Sequence, residues 1–352
     1  MRLRDARALK AEILANYYNE VIGRSSDLRT ETEPPIAPSE RRIAVGLAKV
    51  RNAYRVEIRI QREGGAAQRL TQDLQRKYGS GINVEILQKV EIPPLLSIKR
   101  LSPQTARPRK GPRARLRPLE IGCSVGHAEG RPGTLGALVE LNSKGGDAIL
   151  SNAHVLAPVQ EARRKDAIYQ PGREGRPLTD DDRIGQLRNH IHLTKSGANT
   201  ADAAIALLDD EIKHDRNFVP AHYGVSCAGK SISGVQSALE LPRGTILAKI
   251  GRTTDYTEGI LTAVATDDVT VLYHSIGNLR FDNLIEITWK DLRRPFTRPG
   301  DSGALVFNPE TMRAVGLHFA GGEIKRDGKK VGVSYACDLG TVLDSIECTL
   351  IR

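Results

Sequence analysis

Residues 299–307 read Pro-Gly-Asp-Ser-Gly-Ala-Leu-Val-Phe, a glycine-flanked serine followed at once by an apolar run. Gly300 stands two residues before Ser302 and lets the backbone turn sharply, so that the N–H groups of both residues point at one spot beside the serine hydroxyl. Two N–H groups aimed at one spot form an oxyanion hole, which stabilises the charge that develops in acyl transfer. The segment therefore predicts that Ser302 is a nucleophile and that Gly300 and Ser302 supply the oxyanion hole.

A serine hydroxyl becomes a good nucleophile only when a base takes its proton and a carboxylate orients that base. Of the eight histidines, His154 stands at the end of the apolar run 148–151, after a short turn. Asp202 is a lone carboxylate entering the apolar run 203–208, where its burial would be costly without a hydrogen-bonded partner. The sequence therefore predicts His154 as the base and Asp202 as the carboxylate that orients it.

The order His154, Asp202, Ser302 and the gaps between them resemble those of the chymotrypsin-like (trypsin-like) serine peptidases. Within that group the chain looks most similar to the plant narrow-leaf peptidases and their bacterial relatives. The motifs that carry this resemblance are residues 133–139, 151–155, 201–202, 249–254, 300–303 and 338–340. The resemblance covers residues 119–352 and is weakest around 160–198. It implies a mostly β fold with two six-stranded-type antiparallel β-barrels, in which the first barrel supplies the histidine and aspartate and the second the serine. The implied activity is a serine endopeptidase that needs no cofactor and acts on a protein or peptide substrate. The alternative is a catalytically silent peptidase fold that serves as a binding or scaffold protein.

Composition agrees with a packed, mostly β protein. The chain has 352 residues, of which 39% are apolar and only 4% aromatic. Short valine, isoleucine and leucine runs are broken by Gly, Pro and Asn-Asp clusters, a pattern typical of a barrel or sandwich. No stretch has the roughly 18 uninterrupted apolar residues of a membrane span, and the N-terminus lacks the apolar segment of a secretion signal. We therefore expect a cytoplasmic protein that does not interact with membranes.

The cysteines and histidines give no sign of a metal. Cys123, Cys227, Cys337 and Cys348 have no close pair spacing and no zinc-like arrangement, so buried free thiols in a reducing compartment are expected. His190-Ile191-His192 puts two imidazoles on one face of a possible strand, but no third ligand is evident. We interpret that pair as a surface feature and predict no metal and no cofactor.

The first 95 residues predict two further pieces. Residues 1–40 form an amphipathic helix, with Leu9, Ile13, Tyr17 and Val21 on one face, and a polar tail. Residues 41–95 form a small α+β module: a strand at 56–61 alternates Val, Ile and Ile with Glu57, Arg59 and Gln61, and a helix and another strand follow. About fifty residues are marginal for independent stability, so we expect the module to pack on the peptidase domain or on another subunit of a homo-oligomer.

Residues 96–118 form a basic linker rich in Pro and Arg. This segment carries eight of the ten excess positive charges and no acidic residue between Ile98 and Arg117. Its prolines exclude a helix and predict an extended, solvated connector. Two alternatives stay open: a basic arm that contacts nucleic acid or an acidic partner, and a processing site at Glu120-Ile121. In trypsin-like zymogens a new N-terminal isoleucine pairs with the aspartate before the catalytic serine, here Asp301.

Two residues are candidates for contacting the substrate side chain at the cleaved position. His318 lies in Gly316-Leu317-His318, on a strand that would form one wall of the primary specificity pocket. A histidine in a similar context binds a Glu or Gln side chain in glutamyl endopeptidases and picornaviral main proteases, so the resemblance implies that preference; a histidine that only fills the strand is the alternative. Phe296, six residues before Ser302, is apolar, which disfavours cleavage after Lys or Arg because a buried cation would lack a counter-charge.

Overall fold

The computed structural model describes residues 1–26, 43–61, 65–92, 111–142, 145–158, 162–174, 177–326 and 329–351. It is mostly β, with two sheets of eight and thirteen strands and an N-terminal helix, which confirms the predicted fold class. The α-helices of the described residues are α1 (Leu3–Ser26), α2 (Gly65–Tyr78), α3 (Ala153–Leu156) and α4 (Leu339–Ile346).

The eight-stranded sheet contains β5 (Ser124–His127), β6 (Gly133–Thr134), β7 (Ala137–Leu141), β8 (Asp147–Ser151), β9 (Ala167–Tyr169), β10 (Arg183–His190), β12 (Ala204–Leu208) and β21 (Cys348–Leu350). The thirteen-stranded sheet contains β1 (Ile43–Val50), β2 (Ala53–Ile60), β3 (Ile82–Leu87), β4 (Val90–Glu91), β11 (Ala198–Asn199), β13 (Ile246–Gly251), β14 (Asp255–Asp267), β15 (Val269–Tyr273), β16 (Gly277–Phe281), β17 (Leu284–Trp289), β18 (Leu305–Asn308), β19 (Arg313–Arg326) and β20 (Lys329–Asp338).

In the eight-stranded sheet, the antiparallel pair β8 and β12 brings two chain segments to the same edge. Ser151, the last residue of β8, pairs with Ala204, the first residue of β12. The residues that follow β8 and those that precede β12 are therefore neighbours in space. This pairing sets His154 of α3 beside Asp202, although 48 positions separate them in the chain.

In the thirteen-stranded sheet, six strands close into a ring. Every neighbouring pair along β13, β14, β17, β20, β19 and β18 is antiparallel, and β18 pairs with β13 to complete the circle. Ser302 lies just before β18, so this barrel positions the nucleophile loop. Because the ring is closed, each of these six strands pairs with a neighbouring strand on both sides.

The N-terminal strands continue this barrel. Strands β14 and β19 are 13 and 14 residues long, so they extend beyond the six-stranded ring. There β1 pairs with β14, β2 pairs with β1, and β3 pairs with both β2 and β19. A second ring of β1, β2, β3, β19, β20, β17 and β14 results, which we call the annex ring. Residues 43–92 thus join the sheet of the second barrel within the same chain.

Both faces of the strand β2 are covered. Val56, Ile58 and Ile60 are fully buried in one apolar cluster with residues of α1, α2, β14 and β17. Glu57 and Arg59, on the other face, are also fully buried, because that face points into the annex ring. The alternation correctly predicted a strand, but it could not reveal that a second layer would cover the polar face.

The N-terminal helix forms as predicted and docks on this region. Ala6 and Ile13 of α1 are buried, and Leu9 and Tyr17 are partly buried against the same apolar cluster. Lys10 Nζ lies 2.6 Å from Asp267 Oδ2 at the end of β14 and also donates to the carbonyl of Ala265. The helix is therefore attached by one apolar stripe and one ion pair.

Where the structure describes the basic segment, its arginine side chains contact other residues of the chain. Residues 96–110 lie outside the described residues, but residues 111–118 lie against the eight-stranded sheet. Arg115 Nη2 lies 2.7 Å from Asp182 Oδ1, and Arg117 Nη1 donates to Gln170 Oε1 over 2.7 Å. Residues 111–118 are partly exposed, as a linker would be, but their arginines bind partners within the chain, which the prediction of a solvated connector did not include.

Candidate active site

His154 and Asp202 form a buried pair. His154 Nδ1 lies 2.6 Å from Asp202 Oδ2, and the backbone N–H of His154 donates to Asp202 Oδ1 over 3.2 Å. Asp202 is fully buried, and its own carbonyl accepts a hydrogen bond from Asn152 Nδ2 over 2.7 Å. Because an ionised carboxylate only accepts, Nδ1 carries the proton and the opposite nitrogen, Nε2, is left to act as a base.

Tyr273 is a further member of the site that sequence reasoning missed. Its hydroxyl donates to Asp202 Oδ2 over 2.6 Å, and its ring meets the ring of His154 edge-on at a centroid distance of 6.1 Å. Burial alone would raise the pKa of Asp202, but the charge and hydrogen bond of His154 and the hydrogen bond from Tyr273 outweigh it and lower that pKa. Asp202 therefore stays ionised. Tyr273 ends β15, 71 positions from Asp202, and no local signal pointed to it.

The backbone around Ser302 has the conformation that its glycines predicted. Gly300 has φ of +100° and Gly303 has φ of +92°, both in the left-handed region. The N–H of Asp301 donates to Arg298 O and that of Gly303 donates to His318 O. By contrast, the N–H groups of Gly300 and Ser302 have no hydrogen-bond acceptor among the described residues. The turn thus presents two unused donors, as an oxyanion hole requires.

The two sheets meet at Gly133, which brings the turn of Ser302 close to α3. A Cβ at Gly133 would lie 2.4 Å from Val155 Cγ2 and 2.7 Å from Ser302 O. Thr134 N donates to Ser302 O over 2.8 Å. No hydrogen bond joins Ser302 to His154, since His154 Nε2 is buried without a partner among the described residues. Such bonds are often long in unliganded sites and tighten when substrate binds.

Asp301 is neutralised from within the barrel. Lys249 Nζ of β13 lies 3.5 Å from Asp301 Oδ2, and both side chains are fully buried. Thr254 Oγ1 donates to Oδ2 over 2.7 Å, and the N–H of Thr253 donates to Oδ1 over 2.9 Å. Burial alone would raise the pKa of Asp301, but Lys249 and these donors lower it. The Asp301 carboxylate, which the processing alternative would pair with a new amino terminus at Ile121, thus already has a cation, and Ile121 itself is buried.

The two candidate specificity residues are both buried. His318 is 4% exposed, and its Nδ1 lies 3.1 Å from the carbonyl oxygen of Tyr335. Burial lowers the pKa of His318 to about 4, so the ring is neutral at pH 7. Phe296 is fully buried in the apolar cluster shared with the N-terminal strands, with its ring centroid 6.0 Å from Lys249 Nζ.

The remaining titratable candidates form no metal centre in the part of the chain that is described. The rings of His190 and His192 lie 4.4 Å apart and border a cavity of about 480 Å³ together with Arg164 and Arg188. No group of three or more His, Cys, Asp or Glu side chains that could hold a metal ion occurs among the described residues. All four cysteines are buried and unpaired, as predicted. The described helices include none with the length and apolar character needed to cross a membrane.

Comparison with known proteins gives structural neighbours only. No family model matches the chain, and the search of curated proteins found no match. Among solved structures, the Nocardiopsis protease NAPase aligns with a TM-score of 0.45 at 17% identity, over 66% of this chain and 98% of that one. Protease A of Thermobifida fusca aligns with a TM-score of 0.45 at 14% identity, over 66% and 98%. A serine protease described as specific for glutamic acid, with a histidine triad in substrate binding, aligns with a TM-score of 0.45 at 19% identity, over 66% and 100%.

Proposed function

We propose that the protein is a serine endopeptidase that hydrolyses peptide bonds through an acyl-enzyme. The observation that carries this proposal is the His154–Asp202 pair: a buried carboxylate holds Nδ1 at 2.6 Å, while the buried Nε2 has no partner among the described residues. Ser302, on the neighbouring turn at Gly133, is the nucleophile. The motif resemblance to the narrow-leaf peptidases supports the same activity but remains a prediction.

In the proposed mechanism, His154 Nε2 takes the proton of Ser302 Oγ as the oxygen attacks the carbonyl carbon of the scissile bond. Asp202 stabilises the imidazolium that forms, and Tyr273 holds Asp202 in place. The N–H groups of Gly300 and Ser302 stabilise the oxyanion. His154 then gives its proton to the leaving amine, and a water molecule hydrolyses the acyl-enzyme by the same steps. None of these steps requires a cofactor.

We further propose that the primary pocket prefers Gln, and accepts Glu less readily. A carbonyl oxygen only accepts hydrogen bonds, so the contact with Tyr335 O fixes the proton of neutral His318 on Nδ1. Nε2 is then an acceptor, which suits the N–H₂ group of a side-chain amide and not a carboxylate. A Lys or Arg side chain is disfavoured because Phe296 is apolar and offers no counter-charge to a buried cation.

The proposed substrate is a protein or peptide, and the proposed location is the cytoplasm. Four buried, unpaired cysteines support a reducing compartment. Nucleic acid is not favoured as a partner by the described part of the basic segment, because Arg113, Arg115 and Arg117 bind groups of the chain itself. Arg113 Nε donates to Arg252 O over 3.2 Å, in addition to the contacts of Arg115 and Arg117 described above.

The decisive experiment is labelling with a fluorophosphonate probe, followed by cleavage assays on a peptide library. We expect one labelled residue, Ser302, and a decrease in kcat of roughly a millionfold in Ser302→Ala with the fold retained. Ser345→Ala is the matched control, since Ser345 is exposed on α4 and its hydroxyl donates only to Thr341 O. An unlabelled chain that still binds a stable protein partner would contradict catalysis and indicate a binding role for the same fold.

A further inference from the structure

Arg59 of β2 lies at the centre of a fully buried ionic cluster inside the annex ring. Its Nη2 lies 2.7 Å from Glu286 Oε1, and its Nε donates to Glu286 Oε2 over 2.9 Å. The same guanidinium lies 3.3 Å from Glu57 and 3.3 Å from Glu85. The guanidinium has no exposed surface, so one N-terminal side chain neutralises a carboxylate of β17 in the second barrel.

Stability alone does not account for this cluster. Desolvating several charges offsets most of their mutual attraction, and apolar side chains of similar size usually stabilise a core at least as well. The apolar cluster beside it already joins α1, β1 and β2 to the barrel. The neighbouring side chains that the cluster holds in place are therefore relevant to its role.

From Glu286 the hydrogen bonds lead to the candidate specificity residue. Tyr335 of β20 donates its hydroxyl to Glu286 Oε2 over 2.8 Å. The backbone carbonyl of the same Tyr335 accepts the Nδ1 proton of His318 over 3.1 Å. The register between β19 and β20 shifts between His318 and Ala320, and this irregularity brings the ring of His318 to that carbonyl. Tyr335 thus contacts the Arg59–Glu286 pair through its hydroxyl and His318 through its backbone carbonyl.

We infer that Arg59 is a positioning residue for substrate specificity: through Glu286 and Tyr335 it fixes the ring and tautomer of His318, so that the N-terminal module is a structural part of the primary pocket. This inference rests on the proposed peptidase activity in one respect, that His318 contacts the side chain at the cleaved position. The other part of the inference, the fixed tautomer of His318, does not depend on that activity.

The test uses Tyr335→Phe in the full chain, which removes the hydroxyl that anchors this residue to Glu286, so that the backbone carbonyl facing His318 Nδ1 can shift. Thr262→Val is the matched control, because Thr262 Oγ1 donates to the same carboxylate over 2.8 Å but has no link to His318. Both variants lose a hydrogen bond to the Glu286 carboxylate, and Thr262→Val also loses the contact of Oγ1 with Glu286 O over 3.2 Å, so the control covers any general effect on stability. Arg59→Lys keeps the charge and loses the two-point contact.

Two readouts separate the inference from the proposed function. In peptides that differ only in Gln or Leu at the cleaved position, we expect Tyr335→Phe to reduce the Gln preference by roughly threefold to tenfold, mainly through KM, the size expected for one hydrogen bond. Arg59→Lys should do the same, and Thr262→Val should leave the preference unchanged. The rate of fluorophosphonate labelling at Ser302 should stay the same in all three.

The second readout is the ¹⁵N spectrum of the His318 ring, which reports the tautomer whether or not the protein cleaves peptides. We expect one Nδ1–H tautomer in the unaltered chain and in Thr262→Val, and exchange between tautomers in Tyr335→Phe. If the spectrum behaves in this way but Ser302 is not labelled, the proposed function fails and the positioning role stands. An unchanged spectrum and an unchanged Gln preference in Tyr335→Phe would overturn the inference.

Discussion

At the scale of single residues, the turn that carries Ser302 depends on a buried ion pair that no local sequence pattern predicts. Asp301 and Lys249 are both fully buried, and the carboxylate also accepts from Thr253 and Thr254. A carboxylate held in this way fixes the turn between Gly300 and Ser302. The cation that pairs with Asp301 is therefore part of the folded chain, and we expect the proposed activity not to depend on cleavage near Ile121.

Replacing Lys249 tests this role. In Lys249→Met the Asp301 carboxylate loses its counter-charge, and removing one partner of a buried pair costs about 3–5 kcal/mol. We expect the free energy of unfolding at pH 7, measured by urea denaturation, to fall by about that amount and the labelling of Ser302 to slow. Lys249→Arg, which keeps the charge, is the control and should retain most of both.

The pH dependence of that loss follows from the lowered pKa of Asp301. A carboxyl group with a lowered pKa stabilises the fold above the pKa of the unfolded aspartate, about 3.9, and this contribution disappears as the pH falls through the folded value. The difference between Lys249→Met and the unaltered chain should therefore shrink at about pH 3. An equal difference at pH 3 and pH 7 would mean that the lysine acts through packing alone.

The state of His318 gives a second prediction at this scale. With a pKa of about 4, lowered chiefly by burial and influenced by Asp301, Lys249 and His154, the ring is neutral near pH 7. The protonated form, which alone can donate from Nε2 to a carboxylate, should become about tenfold more abundant for each pH unit between 7 and 5.

We therefore expect the ratio of kcat/KM for Glu over Gln peptides to rise by about that factor per unit, measured in parallel assays. The ratio cancels effects of pH on His154 that both substrates share. His318→Gln cannot titrate, and its ratio should be flat over the same range. A Glu preference that is already dominant at pH 7 would contradict the assigned tautomer.

The sequence located the residues whose signal is local and missed those whose role depends on distant pairing. His154, Asp202 and Ser302 each stand at the edge of an apolar run, and the structure places the first two 2.6 Å apart. Tyr273 and Lys249 sit within ordinary strand patterns. Only the pairing of strands brings Tyr273 to Asp202 and Lys249 to Asp301, and one sequence does not reveal that pairing.

At the scale of elements, the strand β1 decides whether the N-terminal module joins the barrel. The sequence predicted the strand at 56–61, but neither the strand β1 nor its pairing with β14. Gly46 marks the place where β1 and β14 approach most closely: a Cβ there would lie 2.4 Å from Thr266 Oγ1 and 3.2 Å from Val264 O. The contact leaves no room for a side chain.

We expect Gly46→Ala to lower the free energy of unfolding by about 1–3 kcal/mol, the usual cost of an extra methyl group in a packed site. The measurement is urea denaturation at neutral pH. Gly65→Ala is the control, since nothing lies within 4 Å of a Cβ at the start of α2 and the change should be neutral or slightly stabilising. Equal stability in the two variants would mean that β1 does not pack on β14 in solution.

At the scale of the whole molecule, one apolar cluster belongs jointly to the N-terminal strands and the second barrel. Val45 and Ile58 pack in it with Leu261, Ile287 and Phe296. Beside it, the carboxylate of Glu286 depends on a guanidinium from β2. The second barrel without residues 1–92 would therefore expose part of its core and bury an unpaired carboxylate, which together should prevent folding.

We accordingly expect residues 99–352, expressed alone, to show no cooperative urea transition and a weak near-ultraviolet circular dichroism spectrum. Expressed together with residues 1–98, they should assemble one to one, regain the transition and label at Ser302. Arg59→Met in the shorter piece should weaken this assembly at least tenfold, since it removes the cation that Glu286 needs, whereas Arg69→Met, on an exposed position of α2, should not. A fragment of residues 99–352 that folds and is labelled by itself would show that the annex ring is an attachment and that the barrel is complete without it.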